Sequence, residues 1–416
     1  MDVKKTKIMH HLRLLVFLFI VSLSAAAQES IQIGQLHRIS SKFLEEERAI
    51  QVYLPKGYKD TDKQYPTLYI LDGQWYFFNG VAIQESMRGE YLLPEMIVVG
   101  VLMDRPGRNQ TLNKQWDEFK SFLQLELVPY VNKNFRTTQE NILFGWENAA
   151  FMACELILDK PGVFDGAIAS NGAYIDDNML QPFDSLNTQR YLFLANSTKD
   201  IYTVSYSNKA AEYLESAQSE NLIWEYRLFK DEIHETLANV SLFQGLKFYY
   251  HNFSSLTFSS IDEFYSLGGI SYAESYFKSR GERFQLSTEI DEGTKNTLIW
   301  MAWKQDRFEA FDLFMKDFSE VLETKRYASA YWQNRLAQFY LKNEAFEDAK
   351  KFFEQGITKY PEEKYLARMY HGLGQAYLGL GQKKLAKSNF KQAIKIAIKN
   401  DDPNLEAYQT ELKKLG

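Results

Sequence analysis

The chain has 416 residues, so a single ordinary domain of roughly 100 to 200 residues cannot account for it, and two or three domains are expected. Its hydrophobic content of 45% and charged content of 25% are typical of a globular protein with a large core, which excludes a disordered or fibrous chain. The net charge of −6 gives no basis for attraction to nucleic acid or to an anionic membrane, so we expect neither as a partner.

The first 27 residues have the pattern of a secretory signal peptide. Basic residues precede an apolar run at residues 14–23, and Ala25-Ala26-Ala27 supplies the small residues of a cleavage site before Gln28. A membrane anchor is the alternative, but the run is about half of the roughly 20 residues that a span needs. We therefore predict a signal peptide at 1–27, export to the periplasm or out of the cell, and no membrane span after cleavage.

Residues 28–252 alternate between short apolar runs and helical patterns. The runs at 49–54, 67–71, 96–102, 141–144, 166–169, 191–195 and 222–229 have the length of strands, and several are apolar throughout, as strands covered on both faces are. Helical patterns lie between them, for example at 116–135 and 204–218, and a last one follows at 237–250. The sequence therefore predicts an α/β sandwich with a mostly parallel sheet.

Residues 141–172 have the order strand, sharp turn, helix, strand. This is the setting of a nucleophile elbow, whose pattern is Gly-x-Ser-x-Gly. Here the five residues are Gly145-Trp146-Glu147-Asn148-Ala149, so a glutamate stands at the position of the nucleophilic serine. Small residues still permit a strained turn, so we expect the elbow to form without its serine.

The C-terminal part of the chain has helical patterns throughout and contains a repeat. Residues 253–291 are predicted to be a helical linker, and residues 292–416 a domain of tetratricopeptide repeats. The large and small residues of one unit recur 37 residues later, as from Ala349 to Ala386 and from Phe353 to Phe390. An unrelated helical bundle is the alternative.

The first domain resembles the putative-esterase family of α/β hydrolases, which includes enterobactin-type esterases and S-formylglutathione hydrolase. The resemblance covers about Arg48 to Tyr250. It rests on Leu71-Asp72-Gly73, Glu126-Leu127-Val128-Pro129-Tyr130, the elbow, Phe164-Asp165-Gly166 and Ala169-Ser170. Each of these motifs alone is weak evidence for the family, but their combination is specific to it.

The resemblance implies a triad in the chain order nucleophile, acid, histidine. Glu147 takes the nucleophile's position, Asp200 matches the acid and His234 matches the histidine; ordinary polar loop residues are the alternative for the last two. Four further residues are candidates for substrate binding, with core or cleft wall as the alternative for the aromatic ones: Gly73, Trp75, Trp146 and Asn148. We find no metal-ligand spacing and no cofactor motif, so no cofactor or metal is expected.

Glu147 opposes acyl transfer in two ways. It cannot form the acyl-enzyme that a serine forms, and its charge is expected to compete for the N–H donors that would stabilise an oxyanion. We therefore predict an exported, esterase-like pseudoenzyme that binds a small molecule in the old cleft or a protein partner on the repeats. The alternative is an active hydrolase that acts on a carboxylic ester, or on another acyl or alkyl substrate, through Glu147 or another residue.

Overall fold

The computed structural model describes residues 32–88, 92–103, 107–185, 188–361 and 364–416. The signal peptide predicted at 1–27 lies outside the described residues. The chain divides into two compact units, of which the first ends at His251 and the second begins at Asn252. Within the described ranges, no helix has both the length and the apolar character needed to cross a membrane.

A sheet of eight strands forms the centre of the first unit. The strands are β1 (Gln35–Ser41), β2 (Glu46–Tyr53), β3 (Tyr65–Leu71), β4 (Ile97–Val101), β5 (Thr137–Trp146), β6 (Gly166–Ser170), β7 (Arg190–Ser197) and β8 (Leu222–Phe229). Their order in space is β1-β2-β4-β3-β5-β6-β7-β8. Strand β2 pairs antiparallel with β1 and β4, and all other pairs are parallel. The predicted mostly parallel sheet is confirmed, with β1 as an additional edge strand.

Helices cover both faces of this sheet, since β3, β4, β6 and β7 are buried at every residue. They are α1 (Gly73–Met87), α2 (Gly107–Asn113), α3 (Trp116–Phe122), α4 (Val128–Asn134), α5 (Asn148–Leu158), α6 (Asp177–Asp184), α7 (Val204–Ala217) and α8 (His234–Tyr249). A π-helical turn at Leu123–Leu127 joins α3 to α4, so the helix predicted over 116–135 is present with one bulge.

The topology brings polar residues to one edge of the sheet. Strands β3 and β5 to β8 run parallel, so the segments that follow them lie at the same end. The residues on these segments that matter below are Asp72, Glu147, Asn171, Asp200 and His234.

The second unit is helical. Its helices are α9 (Ile261–Ser266), α10 (Ile270–Phe284), α11 (Glu292–Lys304), α12 (Phe308–Asp317), α13 (Ala330–Lys342), α14 (Phe346–Lys359), α15 (Leu366–Gly379), α16 (Lys383–Asn400) and α17 (Leu405–Lys414). From α13 onward each helix packs on the next one in the chain. The repeated small and aromatic positions Ala349, Phe353, Ala386 and Phe390 are fully buried, which agrees with the predicted repeat.

Residues 253–291 contribute to the core of this helical unit. Ile261, Phe264 and Phe277 belong to the same buried cluster as the apolar residues of α11 to α15. The rings of Phe264 and Phe314, for example, meet edge to face with their centroids 5.6 Å apart. Helices α9 and α10 are therefore packed elements of the unit.

Candidate functional site

Glu147 lies at the turn between β5 and α5. Its backbone has φ 53° and ψ −124°, a conformation that residues with a side chain rarely adopt and that is typical of a strained nucleophile elbow. Gly145 permits this turn, because a Cβ at that position would lie 2.0 Å from the carbonyl oxygen of Ala149. The structure therefore contains the predicted elbow, with a glutamate at its tip.

The imidazole of His234 lies between two carboxylates. Its Nδ1 is 2.9 Å from Oδ2 of Asp200, and its Nε2 is 2.6 Å from Oε1 of Glu147. Both ring nitrogens can donate to these oxygens only when the imidazole is protonated. The structure thus brings together the three residues that the sequence assigned to the triad, in the spatial order acid, histidine, residue 147.

The surroundings of His234 favour the charged imidazolium. Burial lowers the pKa of His234, but its hydrogen bonds to Asp200 and Glu147 outweigh burial and raise the pKa above the ordinary histidine value. Burial raises the pKa of Asp200, and hydrogen bonds from Thr203, Asn171 and His234 more than reverse this, so that its pKa falls to about 2. The acid of the pair is therefore ionised at neutral pH.

Arg108 is a site residue that the sequence did not reveal. Its side chain is only 7% exposed, and its Nη1 lies 3.2 Å from Oε2 of Glu147. The same guanidinium donates from Nε to Oδ1 of Asp72 at 2.8 Å and from Nη2 to the carbonyl oxygen of Trp146 at 3.1 Å. Each oxygen of Glu147 is therefore held by a cationic side chain, one by His234 and the other by Arg108.

Asp72 fixes Arg108 from the protein interior. It directly follows β3, has φ 57° and is fully buried. Burial raises the pKa of Asp72, and the hydrogen bonds from Arg108 and Gln74 oppose this effect. A buried carboxylate requires a charged partner, so Asp72 in the motif Leu71-Asp72-Gly73 was the one sequence signal for a cation here. The sequence around Arg108 has no recognised motif, so it did not identify Arg108 as the cationic partner of Asp72.

The carboxylate of Glu147 makes no capping hydrogen bond to the start of α5 within the described structure. The expectation that it competes directly for those N–H donors is therefore wrong. Arg108 and His234 hold the carboxylate instead, because charged donors bind a carboxylate more strongly than neutral amides do. At the helix start, the N–H groups of Ala150 and Phe151 donate to the backbone carbonyl oxygen of Glu147 at 2.8 and 3.3 Å, which leaves those of Asn148 and Ala149 as the unused donors of the first turn.

The two predicted aromatic residues line the site. Trp75 and Trp146 meet edge to face with their centroids 5.9 Å apart, and the guanidinium of Arg108 lies 5.7 Å from the ring centroid of Trp75 and 5.5 Å from that of Trp146. The Trp146 ring is 5.1 Å from that of His234, and its Nε1 donates to the His234 carbonyl oxygen at 3.3 Å. Trp75 is 39% exposed, whereas Trp146 is buried. Of the two, Trp75 is therefore the ring that an incoming molecule would meet first.

The other two candidates for substrate binding have different surroundings. Asn148 is the first residue of α5, and its Nδ2 donates to Oδ1 of Asn113 at 3.4 Å. Gly73 is buried at the start of α1, where a Cβ would lie 2.6 Å from the carbonyl carbon of Gly100. Close packing of α1 on β4 therefore accounts for this glycine, and its role in binding stays a prediction. Among the described residues, no group of His, Cys, Asp and Glu side chains could hold a metal ion.

Comparisons with known proteins agree with this fold. Residues 41–225 match the model of the family described as Putative esterase, and residues 326–399 match the tetratricopeptide repeat. A relative from Bacillus subtilis (strain 168), uncharacterized protein YjcH, is 30% identical over 156 residues, which are 35% of this chain and 64% of the relative. The chain therefore spans less than two thirds of that curated relative.

Among the solved structures that are similar to this chain, two illustrate the likeness. An uncharacterised protein from Capnocytophaga ochracea DSM 7271 has a TM-score of 0.52 at 16% identity, over 92% of this chain and 99% of that one. An IroE-like serine hydrolase from Shewanella oneidensis has a TM-score of 0.49 at 20% identity, over 68% of this chain and 98% of that one. At these identities the likeness concerns the fold alone.

Proposed function

We propose that the esterase-like site binds a ligand without serine-esterase chemistry. The premise is that residues 41–225 match the Putative esterase family and residues 326–399 match the tetratricopeptide repeat. The observation that carries this proposal is the double engagement of Glu147, by His234 at 2.6 Å and by Arg108 at 3.2 Å. We further propose that the segment 1–27 directs the protein out of the cytoplasm.

The site lacks both groups that the first step of acyl transfer requires, a nucleophilic hydroxyl and a neutral base. A serine hydroxyl must give its proton to a neutral histidine, but position 147 has no hydroxyl, and the two carboxylates beside His234 raise its pKa and so favour the imidazolium that cannot accept a proton. An oxyanion that developed near Glu147 would also be repelled by the carboxylate. Acyl transfer from a bound ester is therefore opposed both before and after the carbonyl is attacked.

The same geometry suits binding. The polar groups are held in place by Asp72 and Asp200, which are both buried, so their orientation costs little further entropy when a ligand arrives. Exposed aromatic side chains lie near them: Trp75 contacts Trp146, and Tyr202, which is 74% exposed, has its ring 6.4 Å from that of His234. A ligand with an apolar body and a few polar groups matches such a site.

The repeats supply a second binding surface. A groove of about 610 Å³ in the helical unit is lined by apolar residues, among them Leu341, Phe346 and Leu378, and by charged ones such as Lys342 and Glu411. Apolar area with a charged rim is the usual composition of a protein-binding surface. We propose that a protein partner binds the repeat unit.

An active hydrolase is the second candidate, and one observation favours it. The strained backbone of Glu147 and the Asp200–His234 pair are both present, and strained residues cluster at active sites. In such an enzyme the Glu147 carboxylate would attack an alkyl carbon, as the elbow carboxylates of some hydrolases do.

A turnover assay distinguishes the two candidates. We expect the full chain to show no turnover above background on chromogenic acyl esters, or on haloalkanes and epoxides for attack at carbon. Glu147→Gln, which keeps the shape of the side chain and removes its charge, should behave in the same way. Turnover by the natural protein that Glu147→Gln abolishes would overturn the proposal in favour of a hydrolase.

A further inference from the structure

We propose that Glu147 is a built-in occupant of an anion-binding seat, and that this seat binds small organic carboxylates when the Glu147 side chain is absent or turned away. By the anion seat we mean the space in contact with Nη1 of Arg108 and Nε2 of His234, beside the start of α5. The inference rests on the ligand-binding role proposed above and names the class of ligand.

Both cations of the seat are fixed by partners other than Glu147. Arg108 is held by Asp72 at 2.8 Å and by the carbonyl oxygen of Trp146 at 3.1 Å. His234 is held by Asp200 at 2.9 Å, and the Asp200 side chain is fully buried. Removal of the Glu147 side chain therefore leaves the Arg108 guanidinium and the His234 imidazole in position without their shared carboxylate, and the remaining Asp200 still favours the protonated imidazole at mildly acidic pH.

The start of α5 adds hydrogen-bond donors to these charges. Helix α5 has 11 residues, and the Glu147 side chain makes no capping bond to its first turn within the described structure. The first N–H groups of a helix have no intrahelical acceptors, and the helix dipole favours an anion there. The N–H groups of Ala150 and Phe151 already donate to the carbonyl oxygen of Glu147, so the seat combines two basic side chains with the helix dipole and the N–H groups of Asn148 and Ala149, which the Glu147 side chain does not use.

The geometry of the present occupant defines the ligand class. The two cations bind different oxygens of one planar carboxylate, Oε1 at 2.6 Å and Oε2 at 3.2 Å. A monatomic anion cannot reproduce this two-oxygen contact, whereas any unhindered carboxylate can. The Glu147 side chain is also 30% exposed, so the seat is open to solvent. Propionate is a suitable probe, because it corresponds to the two methylenes and the carboxylate that the side chain places there.

Glu147→Gly is the variant that empties the seat with least disturbance. Glycine adopts φ 53° without the strain that a side chain incurs, so the elbow should persist. Glu147→Ala serves as the second variant. In the full chain labelled with 15N-tryptophan, the indole N–H of Trp146 reports on the seat, because it donates to the His234 carbonyl oxygen and its ring lies beside Arg108. Trp146→Phe assigns this signal.

The experiment is a titration with sodium propionate at pH 6 and constant ionic strength. We expect a saturable shift of the Trp146 signal in Glu147→Gly, and no such shift with the neutral isostere propionamide. The natural protein should require at least about tenfold more propionate, because the tethered carboxylate competes at a high effective concentration. A Trp146 signal that does not saturate in either variant, or that responds equally to propionamide, would overturn the proposal.

Glu155 provides a matched control on the same helix. Its side chain is 29% exposed and bonds Nζ of Lys120 at 2.8 Å and Nε1 of Trp116 at 2.6 Å, so it has a cation and a reporter indole but no second cation among the described residues. We expect no saturable shift of the Trp116 signal in Glu155→Ala. In this variant Lys120 keeps Asp159 at 3.2 Å, as Arg108 keeps Asp72 in the other, so an equal response would mean that any cation that loses one of its carboxylates gives the effect, and would also defeat the proposal. A propionate titration without a saturable shift would overturn this proposal but would not affect the expected absence of esterase turnover. Turnover by the natural protein would overturn the proposed function but would not change the expected titration. The two proposals can therefore fail separately.

Discussion

Oε1 of Glu147 lies 2.6 Å from Nε2 of His234, in the place where the hydroxyl of a catalytic serine would meet its base. From this contact the charges alternate in both directions: Asp200 lies beyond His234, and Arg108 and then Asp72 lie beyond Glu147. Opposite charges at these distances stabilise one another more strongly where water is excluded. The glutamate is therefore the middle member of a chain of five ionisable groups, in which three carboxylates alternate with two basic side chains.

The first prediction concerns the protonation of His234. Because Asp200 and Glu147 raise its pKa in the folded protein, an NMR titration of the imidazole should give a value above the roughly 6.5 of an unperturbed histidine. The raised pKa makes the folded state bind a proton more tightly than the unfolded chain does. The resulting stability is fully present below about pH 6.5 and is lost as the pH rises through the folded-state pKa.

Glu147→Gln is the control for this titration. It removes one of the two carboxylates that face the imidazole and leaves Asp200 in place, so the pKa of His234 should fall without the loss of the other contact. A pKa at or below about 6.5 for His234 in the natural protein would show that Glu147 and Asp200 do not stabilise its protonated form.

The second prediction compares two arginine–carboxylate pairs in different surroundings. Arg108→Met leaves the fully buried Asp72 without its cation, and the loss of one partner of a buried pair costs about 3–5 kcal/mol of unfolding free energy. Arg38 pairs with Glu47 at 3.0 Å, but their side chains are 60% and 53% exposed, so Arg38→Met should cost about 0–1 kcal/mol.

Urea denaturation of the full chain, followed by a signal from the first unit, measures both losses. Equal losses in the two variants would mean that Arg108 is not needed to stabilise Asp72. If Arg108→Met is too unstable to purify, Arg108→Lys keeps the charge but not the forked geometry, and it should still lose clearly more stability than Arg38→Lys.

The sequence predicted the central sheet because buried parallel strands are apolar at nearly every position, as in β4 and β6. It did not reveal β1, which is an edge strand with polar residues and several exposed positions. The order of the elements along the chain was enough to bring residue 147, Asp200 and His234 together. Arg108 could not be predicted, because it reaches the site from a helix outside every recognised motif, and only its contacts define its role.

The third prediction concerns the extent of the helical unit. Because Ile261, Phe264 and Phe277 are buried in the same core as α11 to α15, a fragment of residues 252–416 should be helical by circular dichroism and should unfold cooperatively. A fragment of residues 292–416 lacks these three side chains, and each large apolar residue lost from a core costs about 2–5 kcal/mol. We therefore expect the shorter fragment to melt at a lower temperature and with less cooperativity. Identical melting curves would show that α9 and α10 contribute nothing to the repeats.

The last prediction tests whether the site retains the geometry of a hydrolase. Glu147→Ser supplies a hydroxyl at the strained turn and removes the anion that holds the proton on His234. Ala149 needs no substitution, since it is already fully buried beside Gly145 in the formed elbow. We expect weak ester hydrolysis, because a restored nucleophile does not by itself position the substrate, and positioning supplies several kcal/mol of barrier reduction in evolved enzymes.

Two further variants show whether that activity belongs to a triad. Glu147→Ala lacks the hydroxyl and Glu147→Ser with His234→Ala lacks the base, so neither should hydrolyse the ester above background. If all three variants give the same rate, the serine is not the nucleophile. The pH dependence is the sharper measurement. Without the carboxylate of Glu147 the pKa of His234 falls, and the rate of the serine variant should rise with pH through this lowered value, because only the neutral imidazole can accept the serine proton.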